Sequence, residues 1–323
     1  MKRTSLVLAC LATIVLVSAP SNANAGGTPE NGRIVFSRFD PAADDNYTYI
    51  TGADGTVRPL FPDYTSGSPS WSPDGRHVAV ISGLGQGCTP TTCSASTVII
   101  DPSDGSWRAL APVGLPRVGT FCSLWSPDGS LFACEGGNDS DTSVNGIYVI
   151  RSSDGHGLRR LTDAEGMADV PIAWSPDGSQ IVFGRWDFGE CNQRSAIYVV
   201  NVDGTHERRI TPWGFCDNHG DWSDDGKWIV FARPGGSIFK VHPDGTGLAK
   251  IPLASAGRVF AGDVSWSPDG TKLVMLLFAP VDNPAGDYQE GIATANADGT
   301  HLRFVTTSPT FDHEADWGAR PGG

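Results

Sequence analysis

The sequence predicts an all-β protein that folds as a single six-bladed β-propeller, with four antiparallel strands in each blade. Trp-Ser-Pro-Asp-Gly occurs four times and Trp-Ser-Asp-Asp-Gly once, and a shortened copy ends the series. The tryptophans are 54, 49, 48, 44 and 51 residues apart, which gives units of about 50 residues. A second Asp-Gly series is interleaved with them, and no stretch of helical length has apolar residues at a 3.6-residue period. The repeated tryptophans are Trp71, Trp125, Trp174, Trp222, Trp266 and Trp317.

One unit illustrates the elements in order. Ser175-Pro176-Asp177-Gly178 predicts a tight turn, because proline presets the backbone angle and glycine takes the position that needs positive φ. The stretches 180–184 and 196–200 are rich in β-branched and aromatic residues and predict strands. A further strand is expected at 208–211, after an Asp-Gly turn. With the stretch that leads into the tryptophan, each unit has four strands.

The two ends of the chain together complete one blade. The C-terminal stretch 313–317 has the start of a unit but not its continuation. The stretch 32–37 near the N-terminus, Gly-Arg-Ile-Val-Phe-Ser, has the missing continuation. We therefore expect one blade to be shared by the two termini, which closes the ring without a covalent bond.

Residues 1–25 have the pattern of a secretory signal peptide. Two basic residues precede the short apolar run 6–17, and Ala23-Asn24-Ala25 resembles a cleavage site. Cys10 would suit a lipoprotein signal instead, but most of the apolar run follows it. We expect cleavage near Ala25, a propeller over residues 26–323, no transmembrane segment in the mature chain, and a secreted or periplasmic protein.

Charge and cysteine content narrow the function classes. The chain has 36 acidic against 23 basic residues and a formal net charge of -13, which argues against binding nucleic acid through its phosphates. An even number of cysteines remains after cleavage, as is common in exported proteins with disulfides. No Cys-x-x-Cys motif occurs, so a zinc-thiolate site is not expected. The pairing that is local throughout, among those possible, is Cys88–Cys93, Cys122–Cys134 and Cys191–Cys216.

The repeated Trp-Ser-Pro-Asp-Gly, followed by a strand, a loop and Ile-Tyr-Val-x-x-x-Asp-Gly, resembles the propeller repeats of TolB. TolB is the periplasmic component of the bacterial Tol-Pal envelope system, so the resemblance implies a periplasmic propeller that binds proteins. It covers residues 32–317. TolB also has an α/β domain before its propeller, whereas here only 26–31 lie between the expected cleavage site and the first strand, so we expect that domain to be lacking. Prolyl oligopeptidase-type serine peptidases have similar repeats, but no Gly-x-Ser-x-Gly occurs here.

Most of the repeated polar residues are interpreted as scaffold. The aspartates of the Trp-Ser-x-Asp-Gly turns are expected to accept hydrogen bonds from their own turns, and the tryptophans to pack between blades. In a four-strand meander the first and third turns share one face. The opposite face then has the variable loops, at 39–46, 83–95, 136–144, 185–195 and 279–290, together with the links before each tryptophan, and we expect function there.

Acidic and imidazole side chains precede the tryptophans on the expected innermost strands. Carboxylates that converge on a narrow channel repel one another unless a cation compensates them, so the candidate cofactor is Ca²⁺ or another divalent cation. The proposed metal ligands are Asp217, His219 and Glu314; alternatively these residues are solvated or pair with Arg117 or Arg258. The complete set of candidate ligand-binding residues is Asp169, Asp217, His219, Asp263, Asp312, His313 and Glu314.

We expect an exported, monomeric, non-catalytic binding module for a protein or cell-envelope ligand on the variable-loop face. The alternative is a metal-dependent hydrolase, lactonase or lyase, with Asp217, His219 and Glu314 at the channel mouth. Carbohydrate binding is a third hypothesis, based on aromatic residues near two cysteines: Trp186, Phe188, Trp213 and Phe215.

Overall fold

Six four-stranded antiparallel sheets form the described part of the chain, as predicted. The structure, a computed structural model, describes residues 29–52, 54–83, 96–110, 119–137, 141–164, 166–187, 195–254, 259–280, 288–308 and 310–321. Each Trp-containing strand contacts the corresponding strands of both neighbouring blades, which closes a ring of inner strands. The only helix in the described ranges is a 3-10 turn at Thr142–Val144.

The blades are numbered 1 to 6 along the chain, and their strands run in order from the inner edge outward. Blade 1 consists of β4–β7 (Gly67–Trp71, Val78–Ser82, Ser96–Ile100, Trp107–Leu110) and blade 2 of β8–β11 (Gly119–Trp125, Leu131–Gly137, Gly146–Arg151, Arg159–Arg160). Blade 3 consists of β12–β15 (Met167–Trp174, Gln180–Asp187, Ser195–Asn201, Arg208–Arg209) and blade 4 of β16–β19 (Asn218–Trp222, Ile229–Arg233, Ser237–Val241, Ala249–Ile251). Blade 5 consists of β20–β23 (Phe260–Trp266, Lys272–Pro280, Tyr288–Asn296, Arg303–Phe304), and blade 6 of β24 (Asp312–Ala319) followed by β1–β3 (Asn31–Asp40, Asp45–Thr51, Val57–Pro59).

Blade 6 confirms the expected closure. Its inner strand β24 comes from the C-terminal end of the chain and pairs antiparallel with β1, where Ile34 faces Trp317. The Trp317 indole N–H also donates to the Gly32 carbonyl, at 3.3 Å. The shared blade therefore joins the two ends of the chain by strand pairing.

The outermost strands are shorter than the pattern predicts. Strand β15 covers only Arg208–Arg209, whereas a strand was expected at 208–211. The reason is local: the Thr211 hydroxyl accepts the N–H of Ile197 at 2.9 Å, so a side chain replaces the backbone ladder there. The same replacement occurs at Thr162 and Thr306.

The turn aspartates act within their own turns, as expected. Asp177 accepts from the Ser175 hydroxyl at 2.6 Å and from the Ser179 N–H at 3.0 Å. The Ser175 hydroxyl in turn accepts the N–H of Gln180 at 2.9 Å. Equivalent bonds to the turn serine are made by Asp74, Asp128, Asp225 and Asp269.

The repeated tryptophans pack between blades, which confirms their interpretation as scaffold. Trp266 of blade 5 lies in one buried cluster with Val230 and Ile238 of blade 4 and Leu273 of its own blade. Trp174 is surrounded in the same way by residues of blades 2 and 3. Burying each sheet face against its neighbour supplies the hydrophobic stabilisation that a single meander lacks.

The antiparallel order places the Trp-Ser-x-Asp-Gly and Asp-Gly turns on one face and the links and second turns on the other, called here the variable face. No helix in the described ranges is long and apolar enough to cross a membrane.

Candidate functional site

A bulge interrupts every inner strand just before its tryptophan. Register shifts occur at this point in the pairing of all six inner strands. In four blades the residue three positions before the tryptophan has a left-handed backbone, with φ of 49° at Ser68, 41° at His219, 46° at Asp263 and 53° at Glu314. Non-glycine residues adopt this conformation at an energetic cost of about 1–3 kcal/mol, and such positions concentrate at functional sites.

All six inner strands line one cavity of about 670 Å³ on the propeller axis. In blades 1, 4, 5 and 6 the residues three and one positions before the tryptophan both reach it, as Asp263 and Ser265 do in blade 5. Asn46, Gly83 and Trp186, at the second turns of their blades, also line it, so the cavity opens towards the variable face. Its volume is that of a small-molecule or peptide side-chain site.

Four of the seven predicted site residues line this cavity: His219, Asp263, His313 and Glu314. Glu314 accepts hydrogen bonds from the Ser37 hydroxyl at 2.9 Å and the Ser68 N–H at 2.8 Å. These contacts lie within blade 6 and between blades 6 and 1, so the carboxylate holds the closing interface as well as lining the cavity.

His219 and Asp263 form a pair between blades 4 and 5. The Nδ1 atom of His219 lies 3.3 Å from Oδ1 of Asp263, and the imidazole is half exposed. Asp263 also accepts the N–H of Glu314 at 3.2 Å, which connects it to blade 6. On the other side of Glu314, His313 Nε2 lies 2.9 Å from Asn46 Oδ1 and its ring stacks on Phe311.

The other three predicted residues are held by arginines and do not line the cavity. Asp217, which is buried, binds Arg233 Nε at 2.6 Å and a terminal nitrogen of the same guanidinium at 2.8 Å. Asp169 makes the corresponding bonds to Arg185. Asp312 makes them to Arg38. The metal set of Asp217, His219 and Glu314 is therefore not assembled, because the Asp217 carboxylate is already bound to Arg233.

Sequence reasoning missed these arginines, although a signal was present. Arg233 stands in Phe-x-Arg on the second strand of its blade, and its guanidinium lies over Phe239 at 4.2 Å and Phe215 at 4.0 Å. The same Phe-x-Arg occurs in the other two blades that have the buried aspartate, ending at Arg38 and Arg185. Arg117 and Arg258, the partners considered from the sequence, lie outside the described residues.

Two further carboxyl groups, which belong to the acidic residues before the tryptophans but not to the candidate ligand-binding set, also line the cavity. Asp221 accepts the N–H of Trp266 in the next blade at 2.9 Å, and Asp316 accepts that of Trp71 at 2.7 Å. Burial, with the nearby charge of Asp316, raises the pKa of Asp221 to about 7. Burial raises the pKa of Asp316 to about 6. Both stand immediately before a tryptophan, where Ser70 and Ser265 stand in blades 1 and 5.

Glu135 on β9 is another acid of the cavity wall that the sequence analysis passed over. It faces Phe121 on β8 and Ile147 on β10 in the sheet. Burial, with the charge of Asp169, raises the pKa of Glu135 to about 7.

Among the residues that the structure describes, no group of three or more His, Cys, Asp or Glu side chains is placed to hold a metal ion. The divalent cation therefore stays a prediction.

Three of the cysteines predicted to form disulfides, Cys122, Cys134 and Cys216, lie in the described residues, and all three are disulfide-bonded. Cys122 and Cys134 form a disulfide between facing residues of β8 and β9, the arrangement expected for a hairpin. Cys216 is also disulfide-bonded, but its expected partner Cys191 lies outside the described residues, as do Cys88 and Cys93.

The aromatic residues of the carbohydrate hypothesis are dispersed. Trp186 lines the cavity, Phe215 covers Arg233, and Trp213 lies edge-on to Tyr198. Phe188 lies outside the described residues.

Comparison with known families identifies the fold family. The TolB beta propeller domain matches residues 65–320 of this chain. The chain belongs to this TolB propeller family. An uncharacterized protein of Agrobacterium fabrum is 30% identical over 203 residues, which are 58% of this chain and 64% of that protein. The chain thus spans slightly less than two thirds of this relative.

Two solved structures show the same TolB propeller fold. TolB from Acinetobacter baumannii matches with a TM-score of 0.66 and 20% identity, over 90% of this chain and 67% of that one. A putative TolB from Agrobacterium tumefaciens matches with a TM-score of 0.63 and 18% identity, over 91% of this chain and 100% of that one.

Proposed function

We propose that this TolB-family propeller is an exported, non-catalytic binding module that holds a protein or cell-envelope ligand at the mouth of its central channel. The observation that carries the proposal is the cavity of about 670 Å³ to which all six inner strands contribute. A site built at the axis by every blade is rigid, because each wall residue is fixed by a packed sheet.

Exposed aromatic residues on the variable face support a binding role for this side. Of the exposed large apolar residues in the described ranges, most belong to links or strand ends of the variable face: Phe121, Trp213, Phe215, Tyr288 and Phe311. Exposed aromatic residues around a concave site are typical of binding surfaces. Export is supported by the signal-peptide pattern of residues 1–25 and by the disulfides, which persist in oxidising compartments.

Site-specific photocrosslinking in the native cell tests this proposal. A photoreactive phenylalanine analogue replaces Phe121, which lines the cavity and is 44% exposed. The matched control replaces Trp107, which is equally exposed, at 44%, but begins the outer strand β7 on the opposite face. We expect a discrete crosslinked product from position 121 and none from position 107. Equal products from both positions, or none from 121, would contradict the proposal.

The His219–Asp263 pair favours a second candidate, an enzyme of the hydrolase, lactonase or lyase type. A carboxylate that orients an imidazole at a ligand-sized cavity is an arrangement used for general base catalysis. In its metal-dependent form this candidate includes a Ca²⁺ or another divalent cation at the channel mouth. A thermal melt in EDTA and then with each divalent cation tests that form: a rise in Tm that is lost on His219→Ala supports it, and unchanged Tm values reject it.

A further inference from the structure

The wall of the cavity is divided into an acidic half and an apolar half. Inner strands β16, β20 and β24 supply the acidic half, which consists of His219, Asp221, Asp263, His313, Glu314 and Asp316. Strands β8, β9 and β12 supply the apolar half, whose main residues are Phe121, Leu124, Ala133, Val170, Pro171 and Ile172; Val264 and Ala315 add apolar atoms to the acidic half. Because opposite positions in a six-bladed ring are three blades apart, blades 2 and 3 face blades 5 and 6 across the channel.

No lysine or arginine is among the described residues that line this cavity. The arginines of blades 3, 4 and 6 are bound to the buried aspartates Asp169, Asp217 and Asp312, and none of them reaches the cavity wall. The fold therefore neutralises the carboxylates next to the channel and leaves those facing the channel without an arginine or lysine partner; the bases beside them are His219 and His313. Carboxylates without a permanently charged partner in a partly desolvated site favour a positively charged ligand.

Glu135 is an independent sign that the cavity is built for a ligand. It lies in the apolar half, next to Phe121, and has no hydrogen-bond or ion-pair partner among the described residues. A partly buried carboxyl group without a donor is unfavourable unless something else supplies the donor. A cationic ligand would supply it, since ammonium and guanidinium groups donate several hydrogen bonds.

We propose that this cavity binds an organic cation, in which an ammonium or guanidinium group is attached to an apolar body. The inference rests on the proposed function and specifies its ligand. The cationic group lies among the carboxylates of the acidic half, and the apolar body packs against Phe121, Val170 and Ile172. An anionic ligand would face carboxylates, and a bare metal ion would leave the apolar half of the wall unused.

Isothermal titration of the mature full-length protein tests the charge requirement with two matched probes. The probes are 4-phenylbutylammonium and 5-phenylpentanoate, which have similar apolar bodies and opposite charges. We expect saturable binding of the ammonium compound that weakens as salt is raised, and no binding of the carboxylate. Equal binding of the two, or binding of the carboxylate alone, would overturn the assignment.

Two variants locate the bound cation. Glu135→Gln removes an ionisable group that makes no hydrogen bond or ion pair with a described residue, so it leaves the fold intact, and Asp263→Asn removes a charge from the opposite wall. The titrations are run at pH 8, above the pKa of about 7 to which burial raises Glu135. We expect each to weaken binding of 4-phenylbutylammonium about fivefold. The control is Asp104→Asn, which makes the same change of net charge in an exposed turn of the opposite face. If Asp104→Asn weakened binding of 4-phenylbutylammonium as much as the two variants do, the effect would be a nonspecific one of net charge, and the site would be refuted.

A second arm separates a free cation from one that is part of a peptide. Acetylated, amidated Phe-Lys and Phe-Glu dipeptides are titrated in the same way, and preference for Phe-Lys places the cation on a polypeptide. If neither the amine nor Phe-Lys binds, the cation assignment is wrong. In that case a crosslink from position 121 would still support the proposed function, so the two failures are distinguishable.

Discussion

The carboxyl groups deep in the channel make stability depend on pH, and Asp221 offers the clearest test. Its oxygens accept the N–H groups of Trp222 at 2.7 Å and Trp266 at 2.9 Å, so it connects blades 4 and 5 from inside the channel. The change to examine is Asp221→Asn, which removes the ionisable group and keeps one of the two acceptor oxygens. The lost acceptor lowers stability by a similar amount at every pH, whereas the lost titration changes the pH dependence.

The sign and size of the effect follow from the pKa. Burial raises the pKa of Asp221 from 3.8 to about 7 in the folded protein, so the folded state holds this proton more tightly than the unfolded chain does. The resulting stability is complete below about pH 4 and is lost as the pH rises through 7. Three pKa units correspond to about 4 kcal/mol, of which about 2–3 kcal/mol falls between pH 5 and 8.

Urea unfolding of the wild type and Asp221→Asn at several values between pH 5 and 8 measures this difference. We expect the free energy of unfolding of the wild type to fall with pH, and the fall to be about 2–3 kcal/mol smaller in the variant. Asp316 and Glu135 retain part of the slope, because burial also raises their pKa values. The control is Asp177→Asn: the Ser175 hydroxyl lowers the pKa of Asp177, so its titration lies below this range. Parallel curves for wild type and Asp221→Asn would refute the reasoning.

Three further changes test the scaffold by urea unfolding. Arg233→Met leaves the Asp217 carboxylate buried and unpaired, so we expect a loss of about 3–5 kcal/mol, and a smaller loss when Asp217→Asn is added. Additive effects would contradict the pairing. Replacing Cys122 and Cys134 by alanine opens a loop of 12 residues and should lower stability by about 3 kcal/mol; under reducing conditions the wild type should lose at least as much, because the disulfide of Cys216 is reduced as well. In Gly318→Ala the new Cβ would lie 2.5 Å from an indole of the next blade, so we expect a loss of about 1–3 kcal/mol; an unchanged midpoint would show that the closing interface is loose.

The fold could be predicted because its determinants are local and repeated. Each turn signal, such as Ser175–Gly178, forms within its own short stretch, and the missing part of the last unit was visible at 32–37. The strand count follows from six repeats of four strands each. Ring closure follows because a four-strand meander must bury both faces against neighbouring blades.

The candidate site was predictable only in part, because the neutralising partners lie on another strand. Asp217 and His219 are two residues apart and looked equivalent in the sequence, yet one is buried against Arg233 and the other faces the channel with Asp263. The bulge between Asn218 and Gly220 separates their environments. Such a bulge depends on the register with the neighbouring strand, which the alternation of polar and apolar residues along one strand does not give.

The sequence by itself determined the repeat, the six blades, the shared last blade and the excess of acidic residues, because each depends on composition or on short-range turn and strand signals. The tertiary structure decided which acids are paired and which are exposed to the channel. Asp169, Asp217 and Asp312 have arginine partners across the sheet, whereas Glu135 and Asp263 meet no arginine or lysine in the described ranges. The physical reason is that charge compensation acts over a few ångströms in space, between residues that the chain brings together only when the ring closes.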